Sequence, residues 1–215
     1  MNKALNKAKK ELISQYRVAL ENYTYQNCID LFKKTLTSNQ ELNADLQLKL
    51  KLGTLYDHRA MQVPRRQKSI LEQAALKLYR NVLKSDPVSP QALWAIGRVY
   101  WHRKDKKAIY YANRAYKAAR KKKLPTGLYI QNIGLIYDSL GNTRKGEVWL
   151  LKGMRASPRE WGCYYNLFHH YKKIKDEQKA RLYAKKLKIK ISRMPKRTKN
   201  TRWKRDIIKL LMSSQ

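Results

Sequence analysis

Acidic residues are scarce in this sequence: 15 Asp and Glu stand against 49 Lys and Arg in 215 residues, a formal net charge of +34. That shortage excludes a surface balanced by alternating ion pairs and points to an anionic partner or surroundings. Cysteine is nearly absent. Cys28 and Cys163 are too few for a disulfide framework, and neither sits in a CxxC arrangement, so redox and structural-zinc roles are excluded and a reducing compartment is expected. Cys163 falls at the start of a predicted helix, where a lowered thiol pKa is physically open, although packing is the expectation for both cysteines. No apolar run approaches the length that spans a bilayer. The opening MNKALNKAKKELISQ lacks the continuous apolar stretch of a secretory signal, so a soluble, cytoplasmic chain is expected.

Against these absences stand 15 Tyr, 5 Trp and many Leu, which is not the apolar-poor make-up of a disordered chain. The chain is long enough to bury a sizeable core. Charge is unevenly spread: residues 1–88 hold 16 basic and 8 acidic groups, and 89–215 hold 33 and 7.

Glycine is also sparse, with 8 in the chain, yet it recurs at a fixed spacing. Gly134 and Tyr137 have counterparts 37 residues earlier in Gly97 and Tyr100, and 81 residues earlier in Gly53 and Tyr56. Ile133 aligns with Ile96 and Leu52. Downstream come a turn and two small residues seven apart, Gly146 and Gly153 in one copy, Ala108 and Ala115 in the copy before. Prolines punctuate the units at Pro87, Pro125, Pro158 and Pro195. A period in the thirties with this internal layout is the signature of a stacked array.

Residues 127–160, with Ile130, Ile133, Gly134, Tyr137, Gly141, Gly146, Leu150, Gly153 and Pro158, resemble the tetratricopeptide repeat, a helix-turn-helix unit of about 34 residues. The small residues suit its mechanics: antiparallel helices approach closely where side chains are short, so Gly134 on the first helix and Gly146 and Gly153 on the second should be contact points, with Tyr137 filling the space beside them. Alanine serves the same places in other copies, so smallness is what the positions require. Gly141-Asn142 supplies the turn. No glycine pattern of a phosphate-binding loop follows a strand anywhere.

Further copies are read at 161–194, with Phe168 where glycine is usual and a looser helix pair expected, at 44–88, with about ten extra residues around HRAMQVPRRQKS expected to form a loop, and at 9–42, with Cys28, Phe32 and Thr35 at the small, aromatic and small places. The fold expected is therefore all-α, a right-handed solenoid of about five such repeats over 1–195. Residues 196–215 place Trp203, Ile207, Ile208 and Leu211 on one helical face, and a basic amphipathic capping helix is expected there, since arrays need an atypical terminal element.

No nucleophile, base and oxyanion site can be placed together, and the four histidines, His58, His102, His169 and His170, lack metal-ligand spacing. No catalytic residue, cofactor or metal is expected. The resemblance implies instead a groove lined by the first helix of each repeat, at positions matching Trp94, Arg98, Trp101 and His102, then Gln131 and Asn132, then Tyr165, Asn166, His169, Lys172 and Lys173. Such a groove implies a non-catalytic scaffold that holds a segment of another protein, acidic in character. Trp94 and Trp101 packing on the next repeat is the plainer alternative. Asn132 and Arg98 match part of a carboxylate clamp known in the family, but Trp94 and Gly162 stand where its lysines belong.

The second helices carry cations where acid partners would be usual: Arg114, Lys117, Arg120 and Lys121, then Lys152 and Arg155, then Lys185 and Lys186, with Lys179 among them. The tail adds Lys196, Arg197, Lys199, Arg202, Lys204 and Arg205. Binding of RNA phosphates through this surface is the second functional reading, with rings in runs such as 103–123 available to stack on bases. The tyrosines of that run are nevertheless expected in the core. Attachment to an anionic membrane is disfavoured against capping.

Overall fold

In a computed structural model of the protein, residues 3–193 are described. The expected capping helix and the tail cations Lys196, Arg197, Lys199, Arg202, Lys204 and Arg205 lie outside those residues. Among the described residues there are eleven α-helices and no strand. They run α1 (Lys3–Asn22), α2 (Tyr25–Thr37), α3 (Gln40–Ala44), α4 (Leu46–Ala60), α5 (Arg65–Ser85), α6 (Pro90–His102), α7 (Lys107–Lys121), α8 (Gly127–Ser139), α9 (Thr143–Ala156), α10 (Trp161–Lys173) and α11 (Glu177–Ser192). Five helix pairs result: α1/α2, α4/α5, α6/α7, α8/α9 and α10/α11. The short α3 is an addition between the first two. The chain divides into two compact units, 1–118 and 119–215.

Local chemistry sets the helix ends. Asp45 accepts from the backbone N–H groups of Gln47 (2.8 Å) and Leu48 (3.1 Å) and so caps α4. Ser89 caps α6 in front of Pro90, and Asn142 and Asp176 cap α9 and α11; each satisfies a donor that the first turn leaves free. Between the helices of four pairs one residue adopts left-handed backbone: Tyr23 (φ 59°), Lys104 (φ 54°), Gly141 (φ 86°) and Lys175 (φ 60°).

In the first unit, Leu12, Cys28, Ile29, Phe32, Leu48, Leu52 and Leu55 form one core, and Ala75, Leu76, Tyr79, Ala95, Ile96 and Val99 join α5 to α6. The extra residues around HRAMQVPRRQKS do not form a loop. His58, Arg59 and Ala60 finish α4, four residues turn, and from Arg65 onward the segment lengthens α5 to 21 residues. Pro64 marks the start of that helix, where a missing N–H costs nothing. The tyrosines of 103–123 are not the core of their helix either. Ala108, Ala112, Ala115 and Ala119 are the buried face of α7, while Tyr110 is 58% exposed and Tyr111 and Tyr116 are half-buried.

In the second unit, the glycine contacts are as the spacing requires. A Cβ on Gly134 would lie 2.9 Å from the backbone N of Leu150, and one on Gly153 would lie 3.1 Å from the backbone N of Gln131. Leu150, Cys163, Leu167, Phe168, Tyr171, Tyr183 and Leu187 make the core between α9, α10 and α11. Phe168, where a glycine is usual, is 2% exposed and packs within this core, so the wider side chain fills the pair.

Candidate functional site

The first helices of the repeats carry the implied groove residues. In the first unit, α6 sets Trp94 and Trp101 two turns apart with ring centroids at 6.3 Å, and His102 stacks on Trp101 at 5.7 Å. All three rings are half-buried. Arg98 lies between the two tryptophans on the same face, and its Nε donates to Oδ2 of Asp57 on α4 across 2.6 Å. Asp57 is only 2% exposed. Burial opposes the charge on Arg98, but the Asp57 carboxylate and the Tyr79 hydroxyl together outweigh it and raise the guanidinium pKa above its ordinary value. One turn on, Arg103 Nε donates to Glu72 Oε2 at 2.7 Å, with Glu72 3% exposed. Burial lowers the imidazole pKa of His58 and of His102.

In the second unit, Gln131 and Asn132 on α8 are buried. The Gln131 amide Nε2 donates to Sγ of Cys163 at 2.8 Å, and its Oε1 accepts from Asn166 Nδ2 at 3.1 Å, so two groove residues use polar groups to join α8 to α10. On α10, Trp161, Tyr165 and His169 form a row at one-turn spacing, with centroids 6.0 Å and 4.3 Å apart. Lys173 Nζ lies 3.2 Å from Asp138 Oδ1 and also donates to the Asp138 main-chain carbonyl, and His170 Nδ1 is 3.2 Å from the same carboxylate oxygen. Lys172 pairs with Glu177 at 3.1 Å.

Asp57, Glu72 and Asp138 are thus drawn inward to basic neighbours, and half-buried aromatic rings remain at the solvent side of these faces. Asp57 is the residue that reading by position misses, and a signal existed: Tyr56-Asp57 and Tyr137-Asp138 are the same repeat position, each meeting a base on the first helix of the following repeat. Trp161, which starts the α10 row, carries no signal beyond its i,i+4 spacing to Tyr165.

On the second helices, Arg114, Lys117, Arg120 and Lys121 on α7, Lys152 and Arg155 on α9, and Lys185 and Lys186 on α11 are all exposed. Lys179 differs from expectation in having acid partners, Glu147 at 3.5 Å and Asp176 at 3.4 Å. Several cations lie over rings: Arg114 over Tyr110 (5.5 Å), Lys152 over Trp149 (4.7 Å) and Lys186 over Tyr183 (5.1 Å). A like-charged pair at i,i+4 on a helix destabilises it by about 0.2–0.5 kcal/mol.

Cys163 does not have a lowered thiol pKa. It is 1% exposed, and burial, with Glu160 adding to it, pushes the thiol up to about 11. Burial likewise pushes Cys28 up to about 11. Among the described residues, no group of three or more His, Cys, Asp or Glu is placed to hold a metal ion, and no helix is long and apolar enough to cross a membrane.

No family model and no curated protein sequence matches this chain. Solved structures do. A thermophilic tetratricopeptide-repeat protein of Thermus thermophilus, TTC0263, is similar with a TM-score of 0.67 and 16% identity, covering 94% of this chain and 98% of that one. PilF of Pseudomonas aeruginosa gives a TM-score of 0.59 at 14% identity, covering 97% and 90%. MamA gives 0.54 at 21% identity, covering 81% and 93%. At these identities the likeness establishes the fold: an all-α tetratricopeptide-type architecture.

Proposed function

We propose that this tetratricopeptide-type chain is a non-catalytic adaptor that holds a segment of another protein, acidic in character, on the first-helix faces of its repeats. The observation that carries this reading is the pairing of Trp94, Trp101 and His102 on α6, and of Trp161, Tyr165 and His169 on α10. Large, stiff rings supply contact area at low entropy cost, and the excess of basic over acidic residues in the chain favours an acidic segment. Similar folds support protein binding as the general role. Each ring row stands within one unit.

Arg98 fits the reading as a support. Its guanidinium is committed to Asp57, so it anchors α6 to α4 rather than meeting the ligand. Tyr165 and Trp101 are the residues that would touch it.

The experiment replaces Trp101 and, separately, Tyr165 with a photo-crosslinking phenylalanine analogue and maps by mass spectrometry the segments joined to each in cell extract. Acidic segments joined at both positions, then bound as synthetic peptides by the unmodified chain and not by Trp101→Ala or Tyr165→Ala, support the reading. Crosslinks to unrelated segments, or peptides bound equally by both alanine variants, would overturn it.

A further inference from the structure

We infer that the solvent face of α9 and α11 in the second unit binds the phosphate backbone of a nucleic acid, without reading its bases. The two helices are neighbours: Lys179 at the start of α11 lies 3.5 Å from Glu147 on α9. On α9, positions 145, 148, 152 and 155 fall on one line at spacings of three and four, are all exposed, and hold Lys145, Val148, Lys152 and Arg155. On α11 the corresponding line holds Arg181, Lys185 and Lys188, again all exposed. Neither line carries an acid.

Four of the few acids nearby are already committed. Residues 119–193 contain 19 Lys and Arg but 5 Asp and Glu. Asp138 faces His170 and Lys173, Glu147 accepts from Tyr171 at 2.7 Å and faces Lys179, Asp176 caps α11 and Glu177 pairs with Lys172. The cations of the two lines face solvent in large excess over acids, and their summed field attracts anions from outside.

Phosphate is favoured over bases because the ring faces are covered. Lys145 lies over Tyr137 (5.7 Å), Lys152 over Trp149 (4.7 Å), Lys186 over Tyr183 (5.1 Å) and Lys190 over Tyr164 (5.2 Å). A base cannot stack where an ammonium already sits, so recognition falls to charge alone. Beside the α9 line, a hollow of about 440 Å³ lined by Arg144, Lys145, Asn142 and Trp149 offers polar donors at its rim. A membrane surface would call for apolar side chains along the same line, and Val148 is the one such residue on either.

The test titrates the full chain into labelled duplex RNA, and into duplex DNA of the same sequence, across a salt series. Affinity should fall steeply with salt on both, with a log–log slope of about 0.9 per phosphate neutralised on DNA. Lys145→Gln/Lys152→Gln/Arg155→Gln should weaken binding at least tenfold at moderate salt and lower the slope by about two to three, while Lys145→Arg/Lys152→Arg keeps both. Lys3→Gln/Lys7→Gln/Lys10→Gln, which removes as much charge from α1, should change affinity less than twofold, and Trp101→Ala should leave it unaltered, separating this surface from the proposed protein-binding face. Equal losses from the α1 and α9 variants, an α9 variant of native helicity that binds like the parent, or binding to phosphatidylserine vesicles or poly-glutamate without binding to either duplex would each overturn the inference.

Discussion

Asp57 follows Tyr56 on α4, Arg98 follows Gly97 on α6, and the two side chains meet at 2.6 Å although 41 residues separate them. Because the carboxylate is almost sealed from water, the guanidinium is its counter-charge and not an ornament of the surface.

Removing that counter-charge should be strongly destabilising. Arg98→Met leaves Asp57 buried and unpaired, and a loss of about 3–5 kcal/mol is expected in urea denaturation. Asp57→Asn combined with Arg98→Met should recover most of it, and a double-mutant cycle measures the coupling. A double variant that loses the sum of the Arg98→Met and Asp57→Asn losses would show that the pair contributes nothing as a pair.

Glycine should be needed where helices touch and dispensable where they do not. Gly134→Ala forces a methyl to 2.9 Å from the Leu150 backbone and should cost about 1–3 kcal/mol, more than the roughly 1 kcal/mol that alanine gains in helix propensity. At Gly162 the nearest atom to a new Cβ is 3.9 Å away, so Gly162→Ala should be neutral or stabilise by about 0.5 kcal/mol. Thermal melts of the two variants should move in opposite directions or in one direction only for Gly134.

The glycine–tyrosine spacing was legible because it answers a steric need that each repeat meets within its own sequence. The pairing of Asp57 with Arg98 was legible only by aligning Tyr56-Asp57 with Tyr137-Asp138 across repeats, since nothing local to either residue distinguishes a buried carboxylate from a solvated one. The loop expected around HRAMQVPRRQKS failed for a related reason: extra length over the repeat can enter a connection or a helix, and the helix-favouring run from Arg65 to Leu78 puts it into α5. The exposed rings of α7 follow from its alanines, which let that helix pack closely and leave the tyrosines at the margin.

The intra-pair turn predicts a stabilising change. Lys104 and Lys175 hold φ of 54° and 60°, where Gly141 holds 86°. Lys104→Gly should stabilise by about 0.5–1 kcal/mol, because the relief of left-handed strain exceeds the added freedom of the unfolded chain. Gly141→Ala should destabilise by about 1 kcal/mol through backbone conformation alone, as a Cβ there meets nothing within 4 Å. Chemical denaturation of both variants checks the signs.

Acid should weaken the first unit. Burial holds the His58 and His102 imidazoles below their ordinary value of 6.5, with the nearby Arg98 charge acting in the same direction. The unfolded chain therefore binds these protons more readily than the folded one. Stability from this source is unaffected above pH 6.5 and declines as pH falls below it. Denaturation midpoints between pH 7 and 5 should show that decline, and His58→Gln/His102→Gln should flatten it.

Finally, the two sealed thiols bear on how the protein can be watched at work. With both near 11, about one part in 10⁴ is thiolate at neutral pH, so native Cys28 and Cys163 ignore maleimide reagents under gentle conditions. A single cysteine engineered at an exposed place such as Lys117 would take a fluorophore selectively, turning the wild-type background into a clean host for distance and occupancy measurements.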